Sequence, residues 1–193
     1  MSSSGVPPEL AEHIALAERV PELLPEVDAV ARRLIAVYEG GGRLFTFGNG
    51  GSAADAQHLA AELVARYRRE RRPLPAVALS VDPSVVTAIG NDYAFEDLFA
   101  RQVRAFARDG DMVWGFTTSG RSPNVVGGLA AGREQRATTV VFTGGDGSPA
   151  ADHADHALVV PSSTTARVQE MHLLLMHLVL EQVDAWAAGE GAA

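Results

Sequence analysis

The apolar positions of the chain follow two alternating patterns. Short apolar runs, typical of strands buried on both faces, alternate with stretches in which apolar residues recur every three or four positions, as in amphipathic helices. The runs predict strands at 43–47, 76–79, 112–116, 138–142 and 157–160. The other stretches predict helices at 8–17, 21–38, 52–68, 84–89, 95–107, 123–133 and 166–188. This alternation predicts an α/β fold, a doubly wound five-stranded parallel sheet flanked by helices.

The strand order that we expect places two polar turns side by side. In an open parallel sheet, ligands bind beyond the carboxyl ends of the strands, where the strand order reverses. In the common order 2-1-3-4-5, which is flavodoxin-like, that point lies between the first and third strands. The first predicted strand runs into Gly-Asn-Gly-Gly-Ser and the third into Thr-Thr-Ser-Gly-Arg-Ser. We therefore expect both turns at one crevice.

The composition indicates one globular domain. The chain has 193 residues, of which 47% are hydrophobic and 21% charged, the balance of a folded protein rather than a disordered one. No internal repeat or low-complexity linker divides it. We expect a single domain over 1–193, with an N-terminal helical segment (8–40), a sheet core (43–160) and a closing helix (166–188).

Composition also excludes several partners. The chain has no cysteine, so a metal site must use His, carboxylate or amide groups. Its beginning lacks the charged and apolar regions of a signal peptide, and no apolar run reaches membrane length. We therefore expect a cytoplasmic protein without a membrane partner. A net charge of −8 argues against nucleic acid as a partner.

The glycine-rich turn after the first strand suits an anion. Gly48, Gly50 and Gly51 allow close backbone approach, and the helix that follows presents unpaired N–H groups. The segment also satisfies the dinucleotide pattern G-x-G-x-x-G/A, but Asp82 provides the acidic residue expected after the second strand only loosely. A tight turn without a ligand is the alternative interpretation.

The turn after the third strand favours a phosphate more strongly. It offers the hydroxyls of Thr117, Thr118, Ser119 and Ser122, with free amides, ahead of a helix that begins at Pro123. Hydroxyls and amides bind a phosphate monoester without a lysine, which suits an acidic protein. A helix cap would need one of these residues rather than four.

Two predicted helices carry candidate groups for proton transfer or metal binding. His58 and Glu62 lie four residues apart and share a helix face. Gln169 and His177 lie eight apart on the closing helix, about 80° around it, whereas His172 points away. Each of these residues taken alone also suits an ordinary role, as a core histidine or a solvated glutamate.

The combined segments resemble a known family. GNGGSAADAQHLAAEL, IGNDYAFEDLFARQV, TTSGRSPNV, VFTGGDG and RVQEMHLLLMH stand in the order found in the sugar isomerase (SIS) domain family. In detail they resemble the phosphoheptose isomerases, which convert sedoheptulose 7-phosphate into D-glycero-D-manno-heptose 7-phosphate. The resemblance runs from about Leu34 to Val183. It implies an intramolecular oxidoreductase that acts on a sugar phosphate and assembles as a homotetramer through its N-terminal helices and the long closing helix.

The resemblance also implies a site. Ketose–aldose isomerisation moves a proton between C1 and C2 through an enediolate, so it needs a base, an acid and stabilisation of charge on oxygen. Glu62 is the implied base and His177 the acid or its partner. The implied ligands of one Zn²⁺ per subunit are His58, Glu62, Gln169 and His177. The implied substrate-binding residues are Asn49, Gly50, Gly51, Ser52, Glu62, Arg66, Asn91, Asp92, Thr117, Thr118, Ser119, Ser122 and Gln169.

The sequence departs from the family at one position. Many members have an aspartate three residues before the closing-helix glutamine, where this chain has Ala166. That change puts the substrate or the anomer in doubt more than the reaction class. Arg66 matches a family arginine, and we expect the rest of the basic run RYRRERR (66–72) to form a solvated face.

Other functions remain open at the level of sequence. Some SIS proteins are non-catalytic tetramers that bind the bacterial replication initiator, and they resemble this chain even in RVQEMH. They lack the glutamate four residues after the first histidine and the last histidine, which here are Glu62 and His177. A sugar-phosphate sensor would keep TTSGRS without that pair, and another sugar-phosphate isomerase would act on a different sugar length. The pair Glu62 and His177 favours an enzyme.

Overall fold

Within residues 5–147 and 149–190, the part of the chain that the computed structural model describes, five parallel strands form a central sheet. They are β1 (Leu44–Gly48), β2 (Ala76–Ala78), β3 (Met112–Thr117), β4 (Thr138–Gly144) and β5 (His156–Val160). Their order is β2-β1-β3-β4-β5, and every neighbouring pair is parallel. The predicted sheet and its strand order are confirmed.

Helices cover both faces of the sheet. They are α1 (Pro8–Ala17), α2 (Leu24–Glu39), α3 (Gly51–Val64), α4 (Pro83–Asp92), α5 (Leu98–Phe106), α6 (Pro123–Glu134) and α7 (Thr165–Ala187). Helices α2, α3 and α7 share one hydrophobic core, and α5 and α6 share the other. The sheet is thus the middle of three layers, the arrangement expected when strands are buried on both faces.

Strand β3 shows how the two cores are built. Trp114 and Phe116 point toward α2, α3 and α7, while Val113 points to the opposite face, and all three are fully buried. Burial of a large apolar side chain contributes about 1.5–3 kcal/mol. A Cβ atom at Gly115 would lie 3.0 Å from Val125, so the glycine lets α6 pack closely on the strand.

Helix α3 is shorter than the sequence predicts. The predicted helix extends to residue 68, but the helix ends at Val64, because Ala65 has φ −83° and ψ −94° and leaves the helical conformation. The basic run that follows lies in a loop before β2. The prediction of a solvated face is wrong for Arg71, whose side chain is only 1% exposed.

The closing helix is packed into the chain along most of its length. Its buried apolar residues include Met171, Leu175 and Val179, and His172 lies among them with no exposed surface. The prediction that His172 points away from His177 is confirmed, and the structure adds that it lies in the core. No helix in the two described ranges has the length and apolar character needed to cross a membrane.

Candidate active site

The two polar turns meet at the carboxyl edge of the sheet. Strands β1 and β3 are neighbours, with Gly48 opposite Phe116, so their following turns lie side by side as the sequence predicts. Between them is a pocket of about 250 Å³. Its lining residues are Asn49, Gly51, Ser52, Phe116, Thr117, Thr118, Ser122, Thr165 and Gln169.

The glycine-rich turn after β1 (48–51) determines how closely α7 approaches α3. Gly50 has a φ of +56°, a left-handed conformation that glycine adopts without steric cost. At Gly51, a Cβ atom would lie 2.3 Å from Nε2 of Gln169. The missing side chain therefore lets the glutamine of α7 lie directly on the first turn of α3, at the wall of the pocket.

The turn at the end of β3, which carries the hydroxyls of Thr117, Thr118, Ser119 and Ser122, presents its side chains to the pocket rather than to helix α6 behind it. Thr117 Oγ1 lies 3.2 Å from Ser122 Oγ, and both residues line the pocket. Ser122 is the N-cap of α6 but makes no side-chain capping hydrogen bond, so its hydroxyl is not used by the helix. Ser119 accepts a hydrogen bond from the Arg121 amide (3.2 Å) and, with Thr118, lines an adjoining depression of about 340 Å³.

The proton-transfer candidates form a second cluster between α3 and α7. His58 Nε2 lies 3.1 Å from Glu62 Oε1, one helical turn away. The ring of His177 on α7 meets the His58 ring edge-on, with centroids 5.2 Å apart. Tyr67, from the loop after α3, stacks on the His177 ring, with centroids 5.4 Å apart and an angle of 21° between the ring planes. Three of the four predicted metal-binding residues therefore lie together, and Gln169 lies two turns before His177 along α7.

The ionisation of this cluster follows from its partial burial. Burial lowers the pKa of His177, the neighbouring His58 lowers it further, and Glu62 acts in the opposite direction. His177 is therefore largely neutral at pH 7, with a lone pair available for a proton or a cation. The side chains of His58 and Glu62 remain partly exposed, at 38% and 24%, so small molecules can reach them.

Sequence reasoning missed several residues of the site. Asp55 lies one turn before His58, and burial raises its pKa to about 6, while His58 acts in the opposite direction. The i, i+3 spacing to His58 was the available signal. Asn124 exchanges two amide hydrogen bonds of 2.8 Å with Asn49 and fixes its orientation. Tyr67 and Thr165 carried no periodic signal, because a loop and a helix start bring them in.

Three predicted substrate contacts lie apart from these pockets. Asn91 donates to Asp92 (2.7 Å) at the exposed end of α4. The Arg66 guanidinium lies 4.0 Å from Glu70, and its side chain is 58% exposed. Among the described residues that line the two pockets, none of these three occurs.

The donor types at the second cluster suit zinc. Two imidazoles, a carboxylate and an amide oxygen are ligands that Zn²⁺ accepts, and thiolates are not needed. As the side chains stand, however, no three His, Asp or Glu residues in the described ranges are arranged to hold a metal ion. His58 and Glu62 are hydrogen-bonded to each other, so metal binding requires that hydrogen bond to open.

Comparisons with known proteins agree with this picture. The family model of the SIS domain matches residues 10–144. A phosphoheptose isomerase of Roseiflexus sp. is 52% identical over 160 residues, 83% of this chain and 81% of its own. One of Trichlorobacter lovleyi is 46% identical over 97% of this chain and 98% of its own. The solved phosphoheptose isomerase of Neisseria gonorrhoeae superimposes with a TM-score of 0.86 at 39% identity, covering 92% of this chain and 95% of that one.

Proposed function

This chain belongs to the phosphoheptose isomerases of the SIS domain family, and we propose that Glu62 and His177 carry out the proton transfer by which it converts sedoheptulose 7-phosphate into D-glycero-D-manno-heptose 7-phosphate. The observation that carries the assignment is the cluster of Glu62, His58 and His177 beside a hydroxyl-lined pocket. A scaffold or a sensor needs the pocket at most, whereas an isomerase needs both.

The pocket binds the phosphate end of the substrate. The hydroxyls of Thr117 and Ser122 can donate to phosphate oxygens, together with those amides at the start of α3 and α6 that do not already bond to carbonyls of the turns. Because the chain carries a net charge of −8, hydrogen-bond donors in the pocket must bind the anion against the negative electrostatic field of the whole protein. Asn49 and Gln169 line the same pocket, and their amide groups can bind sugar hydroxyls.

The cluster performs the proton transfer. Sedoheptulose 7-phosphate has its carbonyl at C2, so the Glu62 carboxylate removes a proton from C1 and the electron pair forms the C1–C2 double bond of the enediolate. Glu62 then returns a proton to C2, while His177, largely neutral, relays the hydroxyl proton between O1 and O2. No oxidant or reductant is consumed, because the substrate is rearranged internally.

Zinc is part of the proposal. His58, Glu62, Gln169 and His177 are the residues that would hold it. When bound, Zn²⁺ supplies Lewis-acid stabilisation of negative charge on the carbonyl oxygen. A glutamate that binds metal is less free to accept a proton, so the two roles of Glu62 compete. Dialysis against a chelator, followed by titration with Zn²⁺ and calorimetry, tests whether the chain binds one ion per subunit.

The proposal includes a cytoplasmic homotetramer without nucleic-acid or membrane partners. Apolar residues that remain exposed support self-association: Leu10 and Ile14 on α1, and Val64, Val77 and Val81 beside the edge strand β2. Asn91, Asp92 and Arg66, which are exposed in the single chain, can join a site only if another subunit approaches them.

Incubation with sedoheptulose 7-phosphate in D₂O, followed by NMR, tests the function. We expect an aldoheptose 7-phosphate with deuterium at C2, since the proton held by a carboxylate exchanges with solvent. Ribulose 5-phosphate and fructose 6-phosphate, run in parallel, test other sugar lengths. No product from any of these sugars, with or without Zn²⁺, would favour the scaffold or sensor.

A further inference from the structure

We propose that the buried ion pair between Arg71 and Asp184 is a positioning device for Glu62 and His177, fixing the end of α3 and the loop after it against α7. The inference rests on the proposed function for the roles of Glu62 and His177. Neither Arg71 nor Asp184 touches the pocket, so both would act through the residues that they hold.

Arg71 holds the last turn of α3. Its Nη2 donates to the backbone carbonyl of Glu62 (2.6 Å), and its Nη1 donates to the carbonyl of Leu63 (2.7 Å). Nη1 also reaches the carbonyl of Ala65 at 3.3 Å. Carbonyls at a helix end have no partner within the helix, so the guanidinium replaces the missing bonds. The residue whose backbone it holds most closely is the candidate base.

Asp184 receives this arginine on α7. Its Oδ1 accepts from Arg71 Nε (3.1 Å), and both side chains are 1% exposed. Its Oδ2 accepts from the backbone amides of Arg68 (3.1 Å) and Arg69 (2.8 Å). Asp184 follows His177 by seven residues, almost two full helical turns, so the two side chains share a side of α7. One carboxylate thus ties the loop to the face of α7 that carries His177.

The loop that Asp184 fixes carries the aromatic partner of His177. Tyr67 precedes the two amides that Asp184 binds, and its ring stacks on the His177 ring. The His177 ring therefore contacts both Tyr67 and His58. Release of the loop would free Tyr67 and loosen the imidazole, while release of Arg71 would free the backbone at Glu62.

Stability alone does not account for such a pair. Replacing a buried ion pair by apolar residues of similar volume is often neutral or stabilising, because desolvation of the charges is costly. A guanidinium, however, can donate in one plane to a carboxylate and to several carbonyls at once, which neither lysine nor an apolar residue can do. The geometry therefore points to a role of the ion pair in placing Glu62 and His177.

A matched carboxylate elsewhere in the chain makes the test specific. Asp111 is also buried, accepts from the backbone amides of Arg43 and Arg108 (both 2.9 Å) and pairs with the Arg43 side chain (3.1 Å). It precedes β3 at the amino edge of the sheet, whereas the candidate site lies at the carboxyl edge. D111N and D184N therefore each remove the charge of a buried carboxylate that binds two backbone amides and one arginine. Arg43 is half-exposed whereas Arg71 is buried, and only Asp184 is tied to α3 and α7.

We expect D184N to lower kcat by about ten- to 100-fold, the cost of a misplacement of roughly 1 Å, with KM changed within about threefold. D111N should change kcat and KM by no more than about threefold, even if its melting temperature falls as far as that of D184N. R71K should behave as D184N does, because lysine cannot bridge the carboxylate and the carbonyls, and it serves as the second variant if D184N does not fold. Equal kcat in D184N, D111N and wild type would overturn the inference.

A spectroscopic measurement separates this inference from the proposed function. With ¹³C-labelled histidine, the His177 ring resonance is identified as the one lost in H177Q, and its shift reports the stacked Tyr67 ring. We expect the resonance to move in D184N and to stay in D111N. An unchanged His177 resonance in D184N refutes the positioning role whether or not the protein is an isomerase. Failure of the wild type to isomerise any sugar phosphate, with the resonance shifted in D184N only, refutes the function and leaves the positioning intact.

Discussion

At the scale of single residues, the candidate chemistry depends on whether Glu62 acts as a base. Its Oε1 lies 3.1 Å from His58, and its side chain is 24% exposed, so it is both oriented and reachable. A carboxylate held in this way can take a proton from carbon only if the substrate is anchored beside it, the role that we propose for the pocket lined by Thr117 and Ser122.

Glu62→Gln separates the enzyme from a scaffold. The amide keeps the shape of the side chain but not its basicity, so activity should fall by about 10²–10⁴-fold, the usual contribution of a general base. Substrate binding, measured by calorimetry with sedoheptulose 7-phosphate, should persist because the pocket is unchanged. His177→Gln should also disable turnover and preserve the fold. Wild-type rates in both variants would contradict the proton-transfer assignment.

Single residues also show what a sequence can reveal. His58, Glu62 and His177 were identifiable because helical spacing and the family resemblance pointed to the same positions. Arg71 could not be identified in this way, since a run of arginines is normally solvated. Only the fold of the loop after α3 buries this arginine against the end of that helix. Asp55 had the right spacing but no partner in the sequence that distinguished it from a surface aspartate.

At the scale of elements, the site lies at the interface between α3 and α7. The strand order was predictable because it follows from alternating strand and helix patterns, whereas the end of α3 was not. The apolar pattern continues through Tyr67, but tertiary contacts to Asp184 draw the chain out of the helix after Val64. The contact between Gly51 and Gln169 is equally tertiary, since no local pattern pairs residues so far apart.

Gly51→Ala tests the close contact between α3 and Gln169 of α7. A Cβ atom there would lie 2.3 Å from Gln169 Nε2, so the glutamine must move away from the pocket. We expect kcat/KM to fall by about tenfold or more, as for other displaced binding groups. The melting temperature should change little, because Gly51 has an ordinary φ and alanine suits a helix.

Gly127→Ala is the control for this change. Gly127 also lies in a helix, and a Cβ atom there would make only ordinary contacts, 3.7 Å from the Glu96 carbonyl oxygen and 3.8 Å from the Ala100 Cβ. Its kinetic constants should equal those of the wild type. If Gly51→Ala has full activity as well, Gln169 does not need its observed position.

At the scale of the whole molecule, His172 links stability to pH. Burial lowers its pKa to about 4, against about 6.5 in an unfolded chain. Between these values the unfolded state binds more protons, so stability rises with pH. The contribution is complete above about pH 6.5 and is lost toward pH 4, amounting to about 3 kcal/mol over the interval.

His172→Leu should remove this pH dependence. Urea unfolding of the two proteins at a fixed concentration, between pH 4 and pH 7, gives the two free-energy curves. Their difference isolates His172 from Asp55, whose raised pKa acts in the opposite sense over the same range. The wild-type curve should be steeper by up to about 1.4 kcal/mol per pH unit. Parallel curves would mean that His172 is as easily protonated in the folded state as in the unfolded one.

Assembly is the remaining property of the whole molecule. The N-terminal helices and the long closing helix α7 are the elements expected to drive it, but α7 buries most of its apolar residues within the chain. The exposed apolar surface lies instead on α1 and beside β2, an edge strand whose Val77 is 47% exposed. Edge strands with exposed apolar residues are usually covered in native proteins, and a second copy of the chain can cover this one.

Light scattering should therefore give a mass four times that of the 20.3 kDa chain. Val77→Lys places a charge in the middle of the exposed apolar patch, so we expect it to shift the mass toward smaller species. Glu134→Lys, which changes an exposed residue on α6, should leave the tetramer intact. Smaller species from Val77→Lys that lose turnover but keep the wild-type unfolding transition would indicate that subunits complete the site, as we propose for the exposed Asn91, Asp92 and Arg66. A monomer mass for an active wild type would refute both the tetramer and that requirement.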